Sequence, residues 1–322
     1  MCGILSILNY DPSDSSVDLQ KAVAAGKARG PEQTDSLTCN SVHHVFHRLA
    51  INGLDDVSMM PLDIDDCILI CNGEIYNYNE LCELLKIVPT TKNDCEIIIH
   101  LYRKVGIERC AELLDGEFAF VLQDKRLSTS AEPDKIFIVR DPYGVRPLYL
   151  LTGDSTSNCL AAASELKVLH KLTEVGTINQ VKPGTISTYK KDWRVNAKWY
   201  LEKCENYHTM VSCSSSYKTI SHIQADIKPY TRAIVEKLTD AVRKRVTNTD
   251  RPVACLLSGG LDSSLVAALA SKLYSGTLKT YGIGFEGSED LRMAEIVAAH
   301  IGSDHESIVL SEQEFLDAIP EV

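Results

Sequence analysis

The spacing of apolar runs changes near residue 229, and this change most constrains how the chain can fold. Residues 1 to about 195 alternate short apolar runs with turn residues, and only a few stretches have helical spacing. From 229 onward, a helical stretch leads to the buried run PVACLL, then to SGGLDS and a second helical stretch. The first pattern predicts an α+β layered domain, and the second predicts a parallel α/β sheet with right-handed crossovers.

Short apolar runs in the first part predict strands, namely GILSIL (3–8), HHVFHRLAI (43–51), CILICNG (67–73), FAFVLQD (118–124), KIFIVRD (135–141) and LYLLT (148–152). The third of these is predicted to end in an Asn-Gly turn. Asn93 and Asp94 are good helix caps, and apolar side chains then recur at helical spacing. We therefore expect a helix that begins there and is stopped by Gly106.

The second part predicts three strands, PVACLL, KTYGIGF and SIVL, separated by helices. Ser288 is the expected N-cap of the helix in DLRMAEIVAAHI, with acidic residues in its first turn. Residues 196–228 are rich in Ser and Thr and show no clear period, which favours a linker. The expected domains are therefore 1–195 and 229–322.

Charge and cysteine usage narrow the class of protein. The net charge is -11, so the surface would repel phosphate backbones and anionic lipid, and neither nucleic acid nor membrane is expected as the main partner.

The eleven cysteines are an odd number. Many lie inside apolar runs, where free cysteine behaves as a small hydrophobe: Cys67, Cys71, Cys110, Cys159 and Cys255. With no signal-peptide pattern at the N-terminus and no apolar run long enough to span a bilayer, we expect a reduced, cytoplasmic protein.

The first three residues, Met-Cys-Gly, permit a nucleophile at the chain terminus. Methionine is commonly removed before a small residue, and removal would leave Cys2 with both a thiol and a free α-amine. The amine, with a pKa near 8, could act as the base for its own thiol. Taken alone, the tripeptide is explained better as a small buried residue at the start of a strand.

Further motifs change this interpretation because they follow in order along the first part of the chain. They are MCGI (1–4), RGPE (29–32), HRLAI (47–51), NGEIYN (72–77), NDCEI (93–97), DGEFAF (115–120), RDPYGVRPLY (140–149) and SELK (164–167). The sequence resembles the class II glutamine amidotransferases, and among them the glutamine-hydrolysing asparagine synthetases. The resemblance implies an N-terminal-nucleophile, αββα-layered glutaminase domain. Glu32 departs from the family pattern, which usually has Asp there.

The resemblance also implies a role for each matching residue. Cys2 would attack the side-chain amide carbon of glutamine, and Asn72 and Gly73 would form the oxyanion hole. Arg48 would bind the α-carboxylate of glutamine, and Glu74 and Asp94 would hold its α-ammonium. The backbone of Leu49, Ala50, Ile51 and Asn52 would frame the substrate. If the resemblance misled, Arg48 and Asp94 would be solvated surface charges.

Three histidines in one predicted strand raise the question of a metal site. His43 and His47 would share a face of the strand, whereas His44 would point to the other face. No carboxylate or cysteine accompanies them at ligand spacing. We expect these histidines to be structural or surface residues.

The segment LLSGGLDSS (256–264) follows a buried strand and opens a helix, which is the setting of an anion site. It is neither a Walker A loop nor a GxGxxG fingerprint. It resembles the pyrophosphate loop of ATP pyrophosphatases, which implies ATP with Mg²⁺ as the ligand. Ser258, Gly259, Gly260, Leu261, Asp262, Ser263 and Ser264 would hold the pyrophosphate, with Asp262 near Mg²⁺. Leu256 and Ile283 would flank adenosine at the carboxyl ends of adjacent strands.

The resemblance implies a reaction in which ATP activates aspartate as β-aspartyl-AMP and ammonia from glutamine displaces AMP to give asparagine. In the family, the second domain runs further and supplies residues for aspartate that do not occur before Val322, so this domain is expected to be incomplete. Two alternatives stay open: glutaminase activity only, and a non-catalytic binding subunit completed by another chain. An amidophosphoribosyltransferase would not carry SGGLDSS. A homodimer is one expected assembly.

Overall fold

The computed structural model describes residues 1–125, 134–153, 159–192, 198–208 and 227–321. The chain divides into two compact units, Met1–Ser215 and Ser216–Val322. Among the described residues, no helix is sufficiently long and apolar to cross a membrane.

In its described part, the first unit contains two antiparallel sheets of six strands each. The first sheet has the spatial order β10 (Thr177–Gln180), β8 (Tyr149–Thr152), β9 (Leu160–Ala163), β1 (Gly3–Leu8), β3 (Val42–Arg48) and β2 (Gln33–Cys39). The second has the order β12 (Lys198–Asn206), β11 (Thr185–Asp192), β7 (Lys135–Arg140), β6 (Gly116–Asp124), β5 (Cys67–Ile75) and β4 (Leu62–Ile64). The strands predicted in this part of the sequence all appear in these sheets.

Both faces of β1 are buried, which explains why GILSIL is apolar without polar alternation. Ile4 and Leu8 belong to the core that β1 and β3 share with the second sheet. Leu5 and Ile7 point to the opposite face, where they pack with helices α1 (Leu19–Gly26) and α4 (Leu166–Leu172). The central strand therefore connects two apolar layers and places the chain terminus at the edge of the main core.

On the second sheet, helix α3 (Glu96–Leu113) packs on β5, and α2 (Tyr78–Leu85) packs on α3. The predicted helix after Asn93 and Asp94 is present, but Gly106 bends it rather than stopping it. Gly106 has φ +80° and a Cβ there would meet no atom within 4 Å, so its backbone conformation alone requires glycine. Short 3₁₀ helices cover Lys27–Arg29, Asp56–Ser58 and Ile319–Glu321.

The predicted Asn-Gly turn at the end of CILICNG is wrong. Strand β5 continues through both residues, with Asn72 opposite Ala119 and Gly73 opposite Phe118 in β6. A Cβ on Gly73 would lie 2.6 Å from the carbonyl oxygen of Glu117. Glycine is needed here for close approach of the neighbouring strand, not for a turn.

The structure also differs from the predicted linker at 196–228. Residues 198–206 form β12, which pairs with β11 in the second sheet. The rest of the predicted linker, 209–226, lies outside the described residues. The extent of the first part was therefore underestimated, because β12 is polar and mostly exposed at a sheet edge and carries little apolar signal.

The described part of the second unit is 227–321, and its strands β13 (Ala254–Leu256), β14 (Lys279–Gly284) and β15 (Asp304–Val309) pair in parallel in that order. Its helices are α5 (Lys228–Thr247), α6 (Leu261–Leu273), α7 (Glu289–Ile301) and α8 (Glu312–Ala318). The predicted parallel sheet is confirmed. Ser288 lies at the N-cap of α7, although its side chain makes no capping hydrogen bond.

Candidate active site and nucleotide loop

The backbone around Cys2 is fixed at the entrance of β1. The Ile4 N–H donates to Ser164 Oγ at 3.1 Å, and Arg29 Nε donates to the Cys2 carbonyl at 3.0 Å. The thiol lies against the end of β3, with Cys2 Sγ 3.4 Å from both the N–H and the carbonyl oxygen of Leu49. Contacts from three separate segments therefore hold the thiol in one place.

A single pocket surrounds this thiol. Its lining includes all ten residues predicted for the glutamine site, which are Cys2, Arg48, Leu49, Ala50, Ile51, Asn52, Asn72, Gly73, Glu74 and Asp94. It also includes residues that the sequence analysis did not assign: Met1, Phe46, Met60, Cys71, Asn93, Cys95 and Arg146. Segments up to 144 residues apart in the chain thus meet around Cys2.

The protonation of the nucleophile follows from its burial. Burial raises the pKa of the Cys2 thiol, and the hydrogen bond from the Leu49 backbone opposes this rise only in part. Burial also lowers the pKa of the chain-terminal amine, which in this structure belongs to Met1. Both shifts favour the uncharged form of the group concerned, the protonated thiol and the neutral amine.

Asn72 is the candidate oxyanion donor with the clearest structural signal. Its side chain is 1% exposed, and Nδ2 has no hydrogen-bond partner among the described residues. A buried amide group without a partner costs roughly 1–3 kcal/mol, so such groups are rare unless they have a function. Because Asn72 and Cys2 line the same pocket, the amide can donate to an oxygen atom that forms beside Sγ.

Asp94, which also lines the pocket, is held by a hydrogen bond from the backbone. Asp94 is buried and accepts a hydrogen bond from the Ile75 N–H at 2.6 Å. Burial raises the pKa of Asp94 to about 6, although this hydrogen bond opposes the rise. The Asp94 side chain therefore faces β5. The N-cap of α3 is Cys95, without a capping side chain, so neither Asn93 nor Asp94 is the cap that the sequence predicted; Asn93 Oδ1 accepts from the Cys95 N–H at 3.0 Å just before the helix.

Arg48 is buried and its guanidinium donates through Nη2 to the carbonyls of Gly53 and Asp55. These contacts set the conformation of the segment after β3. Glu32 supports the same segment, because the Ala50 N–H donates to its Oε2 at 3.0 Å and its own N–H donates to the Arg48 carbonyl at 3.2 Å. Glu32, which departs from the family pattern, therefore stabilises the wall of the pocket through these two hydrogen bonds.

The three histidines of β3 have nearby hydrogen-bond partners. His43 Nδ1 lies 2.7 Å from Thr38 Oγ1 and His47 Nδ1 lies 2.8 Å from Thr34 Oγ1. His44 is fully buried, bonds Gln123 at 2.9 Å, and has its pKa lowered to about 4 by burial. These contacts tie β3 to β2 and to the second sheet.

The glycine-rich loop of the second unit connects β13 to α6. Gly259 has φ +75°, and a Cβ there would lie 2.5 Å from Met293 Cβ on α7, so both the backbone conformation and the space require glycine. Ser258 Oγ lies 3.0 Å from Ser263 Oγ, and Ser264 Oγ donates to the Gly260 carbonyl at 2.6 Å. Gly260 offers no side-chain cap, so the first N–H groups of α6 are open to an anion.

The remaining residues predicted for ATP lie around this loop. Leu256 ends β13 opposite Tyr281, and Ile283 lies two residues further along β14, so the two side chains share a face of the sheet. Both are exposed, at 82% for Leu256 and 56% for Ile283. Leu261 and Asp262 are exposed in the first turn of α6. The predicted set is therefore brought together at the carboxyl edge of the sheet.

Asp262 is the predicted Mg²⁺ residue. Among the described residues, no group of three His, Cys, Asp or Glu side chains has the geometry of a metal site. Mg²⁺ is usually bound by one or two carboxylates together with substrate phosphates. The donor set here fits an ion held jointly by Asp262 and a nucleotide, and does not fit a site made of protein ligands alone.

A family model described as a glutamine amidotransferase domain matches residues 1–205, and one described as asparagine synthase matches residues 233–322. A probable asparagine synthetase [glutamine-hydrolyzing] of Acanthamoeba polyphaga mimivirus is 35% identical over 338 residues, covering 100% of this chain and 59% of the viral protein. The asparagine synthetases [glutamine-hydrolyzing] of Gallus gallus and Homo sapiens are 35% and 36% identical, each with 100% of this chain and 58% of the relative covered.

The chain thus spans somewhat less than three fifths of the length of these relatives. Among solved structures, an NH3-dependent NAD synthetase from Campylobacter jejuni is 27% identical and covers 28% of this chain and 40% of its own. Its TM-score is 0.24, which is too low to inform the fold.

Proposed function

This chain belongs to the glutamine amidotransferase family, and from that membership we propose that its first unit hydrolyses glutamine to glutamate and ammonia. The observation that carries the proposal is the unpartnered Nδ2 of buried Asn72 in the same pocket as the Cys2 thiol. The pocket also offers acidic groups, Glu74 and Asp94, for an ammonium, and an arginine, Arg48, for a carboxylate. These are the charges that a free α-amino acid requires.

The reaction begins after removal of Met1, when the terminal amine belongs to Cys2. The amine takes the thiol proton as Sγ attacks the side-chain amide carbon, and the developing oxyanion accepts hydrogen bonds from Asn72 Nδ2 and the Gly73 N–H. One such donor typically lowers the barrier by about 3 kcal/mol. The protonated amine then gives its proton to the leaving nitrogen, ammonia departs and a thioester remains. Water attacks the thioester by the same route and releases glutamate.

We also assign the first unit to the N-terminal-nucleophile fold with αββα layers. Two features support this: the antiparallel sheets share a core, and α1 and α4 cover the outer face of the first sheet. The nucleophile lies immediately before a central strand of that sheet. Because Cys2 is directly followed by β1, the strand restricts the motion of the Cys2 amine.

The second unit is proposed to bind ATP through Leu256, the loop Ser258–Ser264 and Ile283, with aspartate as the group to be activated. The asparagine synthase match and the names of the relatives support glutamine-dependent asparagine synthesis as the overall reaction. Mg²⁺, when bound with ATP near Asp262, would neutralise phosphate charge. The carboxylate of aspartate would attack the α-phosphate to give β-aspartyl-AMP and pyrophosphate, and ammonia would displace AMP. We further propose a cytoplasmic location and a homodimer.

The test compares the chain with its Cys2→Ala variant in glutamine alone and in glutamine with aspartate and Mg-ATP. The proposal expects glutamate and ammonia from the unchanged chain and none from Cys2→Ala. Asparagine and pyrophosphate in the second mixture would support the complete reaction. Glutamate formation without pyrophosphate would favour the glutaminase-only alternative. If neither glutamate nor pyrophosphate forms but ATP binds saturably, the non-catalytic subunit is favoured.

A further inference from the structure

Two carboxylates, Glu74 of the pocket lining and Glu117 beside it, face each other across neighbouring strands. Glu74 in β5 is the register partner of Glu117 in β6, so the two side chains lie on the same face of the sheet. Their side chains are only 15% and 19% exposed. Like charges directly opposite each other on antiparallel strands are destabilising, and shielding from water increases the repulsion. A cation placed between the two carboxylates would offset this repulsion.

Arg146 supplies that cation. Its Nη2 lies 3.2 Å from Glu74 Oε1 and 3.0 Å from Glu117 Oε1, so one guanidinium nitrogen bridges both acids. Arg146 is 5% exposed and lines the pocket beside Cys2. Its Nε has no hydrogen-bond partner among the described residues. The arginine therefore lies close to the reacting atoms, but its contacts are directed to the two carboxylates.

The loop that carries Arg146 is built independently of Glu74. The Arg140 guanidinium donates to two carbonyls of this loop, those of Gly144 and Arg146, each at 2.8 Å, and to the carbonyl of Val181 outside the loop. The Asp141 carboxylate accepts three backbone N–H groups of the same loop, including that of Arg146 at 3.1 Å. Gly144 turns the loop with φ +65°. The position of the cation is thus set by its own loop, and Glu74 is oriented toward it.

We propose that Arg146 is a positioning residue for glutamine binding, which acts by holding the Glu74 carboxylate in place against the repulsion of Glu117. The proposal rests on the proposed function, because Glu74 is the candidate ligand for the α-ammonium of glutamine. Without the cation, the two facing carboxylates repel each other and Glu74 moves away from Glu117. This movement weakens the attraction for the substrate ammonium more than it changes the chemistry at Cys2.

The experiment measures steady-state glutamine hydrolysis at about pH 8.5, where the terminal amine is deprotonated in all variants. Arg146→Gln is expected to raise KM roughly tenfold or more, as for loss of a charged hydrogen bond, with kcat changed less than KM. Arg146→Lys keeps the charge without the planar fork and should lie between. The matched control is Arg109→Gln, because Arg109 is an exposed arginine that pairs with Glu112 on α3.

The decisive experiment uses the double variant Arg146→Gln with Glu117→Gln. This second change removes the repelling carboxylate, so the KM of the double variant should be lower than that of Arg146→Gln. We expect the decrease in log KM to be at least about a third of the increase that Arg146→Gln causes. A purely structural role for Arg146 predicts the opposite, because loss of both partners would damage the loop further. Should Arg146→Gln not fold, Arg146→Lys alone and together with Glu117→Gln gives the same comparison.

The outcomes separate the two proposals. If the unchanged chain hydrolyses glutamine and Arg146→Gln has an unaltered KM, the positioning role of Arg146 is overturned. The proposed hydrolysis of glutamine is still supported in that case. A double variant with KM equal to or above that of Arg146→Gln also overturns the positioning role. If the unchanged chain does not hydrolyse glutamine, the proposed function itself is overturned.

Discussion

Replacing Asp94 by Asn should stabilise the first unit at neutral pH while weakening its use of glutamine. Asn has nearly the same shape and can still accept the hydrogen bond from the Ile75 N–H, which reaches Asp94 Oδ2 at 2.6 Å. It cannot carry the negative charge that is buried in the native pocket. The variant therefore isolates the cost of ionising this side chain.

The magnitude follows from the raised pKa of Asp94, which burial moves from an ordinary value of 3.8 to about 6. In the unfolded chain the proton leaves near 3.8, whereas in the folded chain it stays until about pH 6. Rising pH in this window therefore favours the unfolded state of the native protein. The full cost is roughly 3 kcal/mol, of which about 2 kcal/mol develops between pH 4.5 and pH 7.5.

Urea unfolding at several pH values measures this cost in the first unit alone. Neither of the chain's two tryptophans falls within Ser216–Val322, and Trp199 is buried in the first unit, so tryptophan fluorescence reports the unfolding of the first unit. The stability of Asp94→Asn relative to the native chain should rise by about 2 kcal/mol from pH 4.5 to pH 7.5. In parallel, the KM of the native chain for glutamine should fall as pH rises through about 6, and that of the variant should be high throughout.

A stability difference that stays constant over this pH range would refute the reasoning. It would mean that Asp94 ionises in the folded state as it does in the unfolded state, so that burial imposes no electrostatic cost. A variant with native KM would remove Asp94 from the ammonium site.

Three further predictions concern other residues. Asn72→Ala should lower kcat for glutamine about 10²–10³-fold with little change in KM, measured by glutamate release; an unchanged kcat would exclude the oxyanion role. Glu96→Gln should destabilise the first unit in urea at pH 7, because hydrogen bonds hold the pKa of Glu96 at about 2 although burial alone would raise it. That loss should shrink as pH falls from 4.5 towards 2, and a loss that grew instead would contradict it. Gly259→Ala should destabilise the second unit by more than its control Gly287→Ala, which costs about 1 kcal/mol for positive φ alone; equal losses of hydrogen-exchange protection would refute the contact with Met293.

The sequence predicted the three strands of the second unit and ten of the residues that line the Cys2 pocket because their signals are local. A buried apolar run, two glycines and a helix start define the loop at 258–264 within a few residues. The ordered motifs around Cys2 and Asn72 likewise named residues that the fold brings into one pocket.

Contacts between distant segments could not be predicted in the same way. Arg146 bonds Glu74 from 72 residues away and Glu117 from 29 residues away, although all three lie within motifs that were recognised. The error at Asn72-Gly73 has the same origin, since local turn preference was outweighed by pairing with β6. Strand β12 was missed because its partner β11, not its own pattern, makes it a strand.

The central claim is that Cys2 attacks glutamine with its own free amine as the base. Mass spectrometry of the N-terminal peptide after rapid acid quenching of a reaction with glutamine tests it most directly. The account predicts a peptide that begins at Cys2, lacks Met1, and carries a glutamyl group on the thiol. Ammonia release by a chain that retains Met1, or whose terminal amine is acetylated, would contradict it.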